Sequence, residues 1–259
     1  MIPMNALCVQ IDIAWSDPKA NCRRFAEMLA STDPTPGDLA VLPEMFSTGF
    51  SMDTSTVCEP PGGETENSLA RIAKQFGIYV LAGLATKHGE TCRNEAILLT
   101  PEGSVAGRYW KTHAFSPAQE ELHYTPGDRA VVIPAGGFQL APTICYDLRF
   151  CELFRCAVAG GADLIAVMAN WPAQRADHWS CLLKARAIEN QAYVIGVNRC
   201  GADPNHSYAG RSVIIDPQGR MLAEAGGEQC VISAPLDIEE VLRWRREFGA
   251  LGDIRQDLQ

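Results

Sequence analysis

Apolar runs rich in Val, Ile and Leu recur along the chain, each closed by turn residues: ALCVQIDI (6–13), LAVLPE (39–44), IYVLAGLAT (78–86), RNEAILLT (93–100), VVIPAGGFQLAPTICYD (131–147), ADLIAVMAN (162–170), YVIGVNRC (193–200) and SVIIDPQGRMLAE (212–224). Short apolar runs bounded in this way predict buried strands. Between them the apolar positions fall at three- and four-residue spacing. Asp17 to Ala30 predicts a helix with Asp17 as N-cap and Pro18 in its first turn. Leu69 to Phe76 predicts a second after the polar PPGGETENS stretch, and Ala176 to Gln191 a third, with Trp179, Leu182, Leu183 and Arg186 near one face.

The turn sequences TPEGS and DPQGR each join β-like segments and predict hairpins. Their likeness hints at two similar halves. Strands alternating with helices predict an α/β fold, layered sheets with helices outside. The last stretch, IEEVLRWRREFGALGDIRQDLQ, reads as a surface helix followed by a loose tail.

With 259 residues, 47% of them hydrophobic and 20% charged, the chain can bury a large core, and a single domain over 1–259 is expected. The net charge of -9 and the lack of any Lys/Arg run argue against nucleic acid as a partner, because phosphate recognition needs a basic face. No run approaches the length of a membrane span, and MIPMNALCVQIDI lacks the basic start of a signal peptide. A cytoplasmic location with no membrane partner is the expectation. The ten cysteines form no C-x-x-C pair and read mostly as buried, reduced thiols. The five histidines have neither H-x-x-x-H nor H-E-x-x-H spacing, so no metal site is expected, and neither a G-x-S-x-G elbow nor a P-loop is present.

Three windows could carry chemistry. In TICYDLRF, Cys145 ends an apolar strand where a helix is expected to begin with Asp147, a turn whose N-H groups and helix end would favour a thiolate and a developing oxyanion. Taken alone, a packed thiol is the plainer reading, and Cys151, Cys156 and Cys181 are alternatives. Glu44 follows the LAVLP strand, and partial burial there would raise its pKa and suit it to proton transfer; a solvated loop acid is the simpler alternative. Lys111 in GRYWKTHAF is either a surface lysine or a fixed positive charge beside an oxyanion.

Together and in order, LPEMF, YWKTHAF and CYDLRF resemble the Glu, Lys and Cys signatures of the nitrilase, or carbon-nitrogen hydrolase, superfamily. The likeness continues through NWPAQRADHWSCLLKARAIENQAYVIGVNRCG to GRSVIIDPQG, covers nearly the whole chain, and is nearest to the omega-amidase branch. It implies a four-layer α-β-β-α sandwich of two mixed sheets flanked by helices, paired as a homodimer. It also implies Glu44 as general base, Lys111 as oxyanion-stabilising cation, Cys145 as nucleophile and Glu120 as a second acid, with neighbouring Glu121 as the competing assignment. Catalysis would run through a thioester with no cofactor.

For that branch the likeness implies small-molecule substrates, ω-amides of short dicarboxylates such as 2-oxoglutaramate. Tyr146 would supply a backbone N-H to the oxyanion. Arg149, Arg175 and His113 are candidate cations for the substrate carboxylate, although Arg149 could instead pair with Asp147 or another acid, and His113, two residues beyond Lys111, is more simply a structural histidine supporting that loop. Asn170, Trp171 and Phe50 are candidate pocket walls. Another amidase or N-carbamoyl amine hydrolase of the same superfamily is the alternative enzyme, and a catalytically silent binding protein of the same fold the alternative from another class.

Overall fold

The first strand, β1 (Met4–Gln10), shows how the layers arise. Successive side chains of a strand point to opposite faces: Ala6 and Cys8 join one apolar cluster and Leu7 and Val9 another. A strand buried on both faces must lie between two packed layers, and the computed structural model, which describes residues 4–255, has that arrangement.

The elements follow as α1 (Pro18–Thr32), β2 (Leu39–Val41), a single helical turn α2 (Thr54–Val57), α3 (Glu64–Phe76), β3 (Tyr79–His88), β4 (Thr91–Leu99) and β5 (Val105–Trp110). The second half begins with the short β6 (Ile133–Ala135) and β7 (Phe138–Ile144), then α4 (Cys151–Ala159), β8 (Leu164–Ala169), α5 (Ala176–Asn190) and β9 (Tyr193–Asn198). A small hairpin of β10 (Cys200–Ala202) and β11 (Ser207–Ala209) precedes β12 (Val213–Ile215), β13 (Met221–Glu224), β14 (Cys230–Leu236) and α6 (Ile238–Glu247).

Two six-stranded sheets result, ordered β14-β1-β2-β3-β4-β5 and β13-β12-β9-β8-β7-β6. In the first, β1, β2 and β3 are parallel and flanked by antiparallel β14 and β4. In the second, β7, β8 and β9 are parallel and flanked by antiparallel β6 and β12. The halves suggested by the two hairpin turns are therefore real: β4 and β5 meet at TPEGS, and β12 and β13 at DPQGR.

Inner-face residues of the first sheet, among them Val41, Leu81 and Leu98, pack in one cluster with the second sheet and with Phe154 of α4 and Leu183 of α5. The outer face of the first sheet, through Val80 and Ile97, meets Phe25 and Leu29 of α1 and Leu69 and Ile72 of α3. Each such aliphatic or aromatic side chain contributes about 1.5–3 kcal/mol by leaving water. Layers thus run helix, sheet, sheet, helix, as expected. Among the described residues no helix is long and apolar enough to cross a membrane.

Several boundaries differ from those the sequence suggests. Helix α3 starts at Glu64 rather than Leu69, because Glu64 and Glu66 complement its positive end and Glu59 accepts from the Thr65 N-H at 2.8 Å. The 131–147 run is a hairpin instead of one strand, broken where Gly136 and Gly137 take positive φ. Edge strand β14 had no clear signal, since its exposed face interrupts the apolar run. The C-terminal helix is present, followed by a 3-10 turn at Ala250–Asp253, while the end of the expected loose tail, 256–259, lies outside the described residues.

Candidate active site

Strand ends of both sheets deliver the candidate catalytic side chains to one place. Glu44 lies in the turn after β2, followed by Met45 at a φ of 42°. That turn rests against β3 at Gly83, where an added Cβ would lie 2.6 Å from the Glu44 Cα and 2.8 Å from the Pro43 carbonyl. Only glycine allows this approach. Lys111 directly follows β5, its N-H donating to the Asn94 carbonyl of β4 at 2.9 Å. Cys145 directly follows β7 and holds a φ of 48°, a left-handed conformation that costs a non-glycine residue about 1–3 kcal/mol and recurs at functional turns. Asn170 directly follows β8.

Lys111 Nζ donates to Glu44 Oε1 and to Glu120 Oε2, both at 2.8 Å. Asn94 Nδ2 bridges the same two acids, 2.7 Å from Glu44 Oε1 and 2.8 Å from Glu120 Oε1. Glu44 Oε2 accepts the Asn170 N-H at 3.0 Å, and Glu120 Oε2 accepts the Phe115 N-H at 2.6 Å. Glu44, Lys111 and Glu120 are all at most 3% exposed. The competing acid, Glu121, is exposed and faces a separate surface hollow, so Glu120 is the acid that meets Lys111.

Burial pushes the Glu44 carboxyl up, but the Lys111 charge and the hydrogen bonds from Lys111, Asn94 and Asn170 outweigh it and hold the pKa below the ordinary carboxylate value. This corrects the expectation of a raised pKa: a neighbouring ammonium wins over desolvation. Burial lowers Lys111, and the charges of Glu120 and Glu44 more than reverse that, so it stays an ammonium. For Cys145, burial and then the Glu44 charge raise the thiol well above its usual value, against the opposing pull of Lys111. The resting group is a neutral thiol next to an ionised carboxylate, not the thiolate the turn alone suggested. The α-helix that would have favoured a thiolate starts only at Cys151, after a 3-10 turn over Cys145–Arg149.

A cavity of about 250 Å³ opens onto these groups, with Glu44, Lys111, Cys145 and Asn170 in its wall. Tyr146, Arg149, Trp171, Phe50 and Arg175 line it too, so six of the seven suggested pocket residues meet there. His113 does not. Its N-H and Nδ1 both lie 2.9 Å from Asp147 Oδ1, and its ring stacks on Phe150 at 3.8 Å. Asp147 also accepts from the Ile144 N-H at 2.9 Å and from the Tyr109 hydroxyl at 2.7 Å, which clamps the turn carrying Cys145. With its oxygens so engaged, Asp147 forms no ion pair with Arg149; that guanidinium lies over the Trp171 ring at 4.8 Å instead.

Sequence reasoning missed Asn94, Phe115, Trp15 and the β10-β11 hairpin, which brings Asp203, His206 and Tyr208 to the cavity. Asn94 had a signal, a polar residue inside the RNEAILL strand, whereas the hairpin residues had none. Among the described residues no group of three or more His, Cys, Asp or Glu side chains is placed to hold a metal ion.

A buried ammonium between two carboxylates, beside a thiol on a strand-end turn, is the equipment of a cysteine-dependent hydrolase. The chain belongs to the carbon-nitrogen hydrolase family, whose model matches residues 6–246. It is 34% identical over 253 residues to a 2-oxoglutaramate amidase of Bacillus subtilis, covering 97% of each chain. It is 38% identical over 257 residues to the omega-amidase YafV of Yersinia enterocolitica, covering 98% of this chain and 97% of the other. A crystal structure of a CN-hydrolase superfamily protein from Xanthomonas campestris, with an arsenic adduct in its active site, matches with a TM-score of 0.92 and 31% identity over 99% of this chain and 98% of that one. The protein is thus an amidase of the nitrilase superfamily.

Proposed function

We propose that this amidase cleaves the terminal amide of small dicarboxylate ω-amides, of the 2-oxoglutaramate kind, to the acid and ammonia. The convergence of Glu44, Lys111 and Cys145 on one cavity carries the catalytic part of this reading. Cys145 Sγ attacks the amide carbon while its proton passes to Glu44, and the carbonyl oxygen becomes an oxyanion held by Lys111 and the Tyr146 N-H. The carbon-nitrogen bond then breaks, and Glu44 returns the proton to the leaving ammonia. Water, deprotonated by Glu44, opens the thioester and restores the thiol. Glu120 holds Lys111 in place.

The choice of an anionic substrate is supported by Arg149 and Arg175, which line the cavity over the rings of Trp171 and Phe115 without a carboxylate partner among the described residues. It is further supported by the names of the two relatives. Ammonia release across ω-amides, N-carbamoyl amines and nitriles tests it, with Cys145→Ala as the control. Turnover of the ω-amides and an inactive variant are expected. Activity confined to nitriles or carbamoyl amines would refute the substrate, and an active Cys145→Ala enzyme would refute the mechanism. The same reading takes the protein as a homodimer, and a monomeric mass in solution at working concentration counts against that.

A further inference from the structure

Two carboxylates around one ammonium leave the cluster of Glu44, Glu120 and Lys111 with an excess negative charge in a buried place, where like charges repel most strongly. Lys111 cannot fix their geometry by itself, since its long stem permits many approaches. Asn94 closes the ring from the other side. Its side-chain nitrogen reaches both acids, at 2.7 and 2.8 Å, and its carbonyl accepts the Lys111 N-H at 2.9 Å, so this one residue touches all three groups. It stands inside β4, hydrogen-bonded between β3 and β5, and is 2% exposed.

The amide's other end is informative. Asn94 Oδ1 is buried without a hydrogen-bond partner. A bare buried acceptor destabilises a fold, so what this side chain contributes lies in its two N-H groups. Their orientation is fixed, because turning the amide over would set its oxygen against two carboxylates.

We propose that Asn94 is a positioning residue for the hydrolysis, holding the Glu44 and Glu120 carboxylates at a set separation across the Lys111 ammonium. The inference rests on the mechanism proposed above, in which Glu44 moves the proton. Asn94 touches no reacting atom; it acts through Glu44. The titratable groups acting on Glu44 and its site are Lys111 after β5, Glu120 in its 3-10 turn, Cys145 after β7 and Tyr208 of β11. All remain, and no charge is added, when Asn94 is replaced by alanine, so in that variant a change in the acid limb of the pH profile reports the loss of the amide.

The test compares Asn94→Asp and Asn94→Ala by pH profiles of kcat and kcat/KM, with melting curves to check the fold. Removing a donor from an ionised carboxylate raises its pKa, so the acid limb should move to higher pH in both. It should move further in Asn94→Asp, where a third acid enters the cluster. Loss of alignment should cost kcat about 10- to 100-fold with KM little changed. Aspartate nearly matches asparagine in shape, whereas alanine leaves a void. A merely structural role therefore predicts the reverse order, alanine worse and the limb unmoved, and that result overturns the proposal, as does wild-type behaviour of both. If Asn94→Ala fails to fold, Asn94→Leu, close to asparagine in size and adding no charge, carries the test. An active Cys145→Ala enzyme would overturn the parent mechanism, while an inactive one beside unshifted Asn94 variants overturns the positioning role alone.

Discussion

Asn170 donates three times to Glu44, from its main-chain N-H to Oε2 at 3.0 Å and from its side-chain amide to the main-chain carbonyl at 2.7 Å and to Oε2 at 3.4 Å. Glu44 follows the second parallel strand of one sheet and Asn170 follows the second parallel strand of the other. Equivalent positions of the two halves thus meet face to face across the sandwich. Asn170→Ala keeps the main-chain bond and loses both side-chain bonds, leaving a buried carbonyl unpaired. The expected cost is about 1–3 kcal/mol of stability, read from denaturant unfolding, with a drop in kcat as Glu44 loses its anchor. A variant with wild-type stability and turnover would show that this contact holds nothing in place.

The lowered pKa of Glu44 sets the pH behaviour. The base must be ionised to take the Cys145 proton, so activity is lost as pH falls through the Glu44 pKa, which lies below the ordinary carboxylate value of about 4.3. From pH 5 to 8 kcat/KM should be nearly flat. Alkylation of Cys145 by a small neutral reagent should be flat too, because Glu44 rather than bulk hydroxide removes the proton. A rate climbing about tenfold per pH unit, as a free thiol far below its pKa does, would contradict this.

Gly83 is the tightest constraint on the base. Gly83→Ala forces the 44–45 turn away from β3, since backbone atoms of Pro43, Glu44 and Met45 stand within 2.8 Å of the new methyl. Displacing a catalytic group by about 1 Å can cost on the order of 100-fold in rate. Activity should fall by that order, with a lower melting temperature. Unchanged kinetics would mean that the turn can relax without moving the carboxylate.

The two cavity arginines separate substrate selection from chemistry. A charge-assisted hydrogen bond contributes about 1.5–3 kcal/mol, so Arg149→Ala or Arg175→Ala should raise KM for an anionic ω-amide about 10- to 100-fold. Turnover of a neutral amide of similar length should change little. Equal losses on both substrates would assign the arginine to the cavity wall and not to carboxylate recognition.

The fold was readable because strands buried on both faces write continuous Val, Ile and Leu runs, and the ordered Glu, Lys and Cys windows marked where those strands end. Glu44, Lys111 and Glu120 are contiguous in space though remote in sequence. What the sequence hid depends on neighbours that only folding supplies. Burial of Glu44 pointed to a raised pKa, and the ammonium 2.8 Å away reverses the sign. His113 was one candidate cation for substrate, and the plainer reading, a structural histidine two residues past Lys111, is the one its ring follows in turning to Asp147. Asn94 drew no notice because an asparagine in a strand becomes significant only once both acids lie within its reach.

Strand β14, formed by Cys230–Leu236, pairs along the full length of β1. Without β14 the outer edge of β1 has no partner. Glu44 and Lys111 come from the earlier half of the sequence, Cys145 and Asn170 from the later, so neither half by itself holds both the sulfur and the carboxylate beside it.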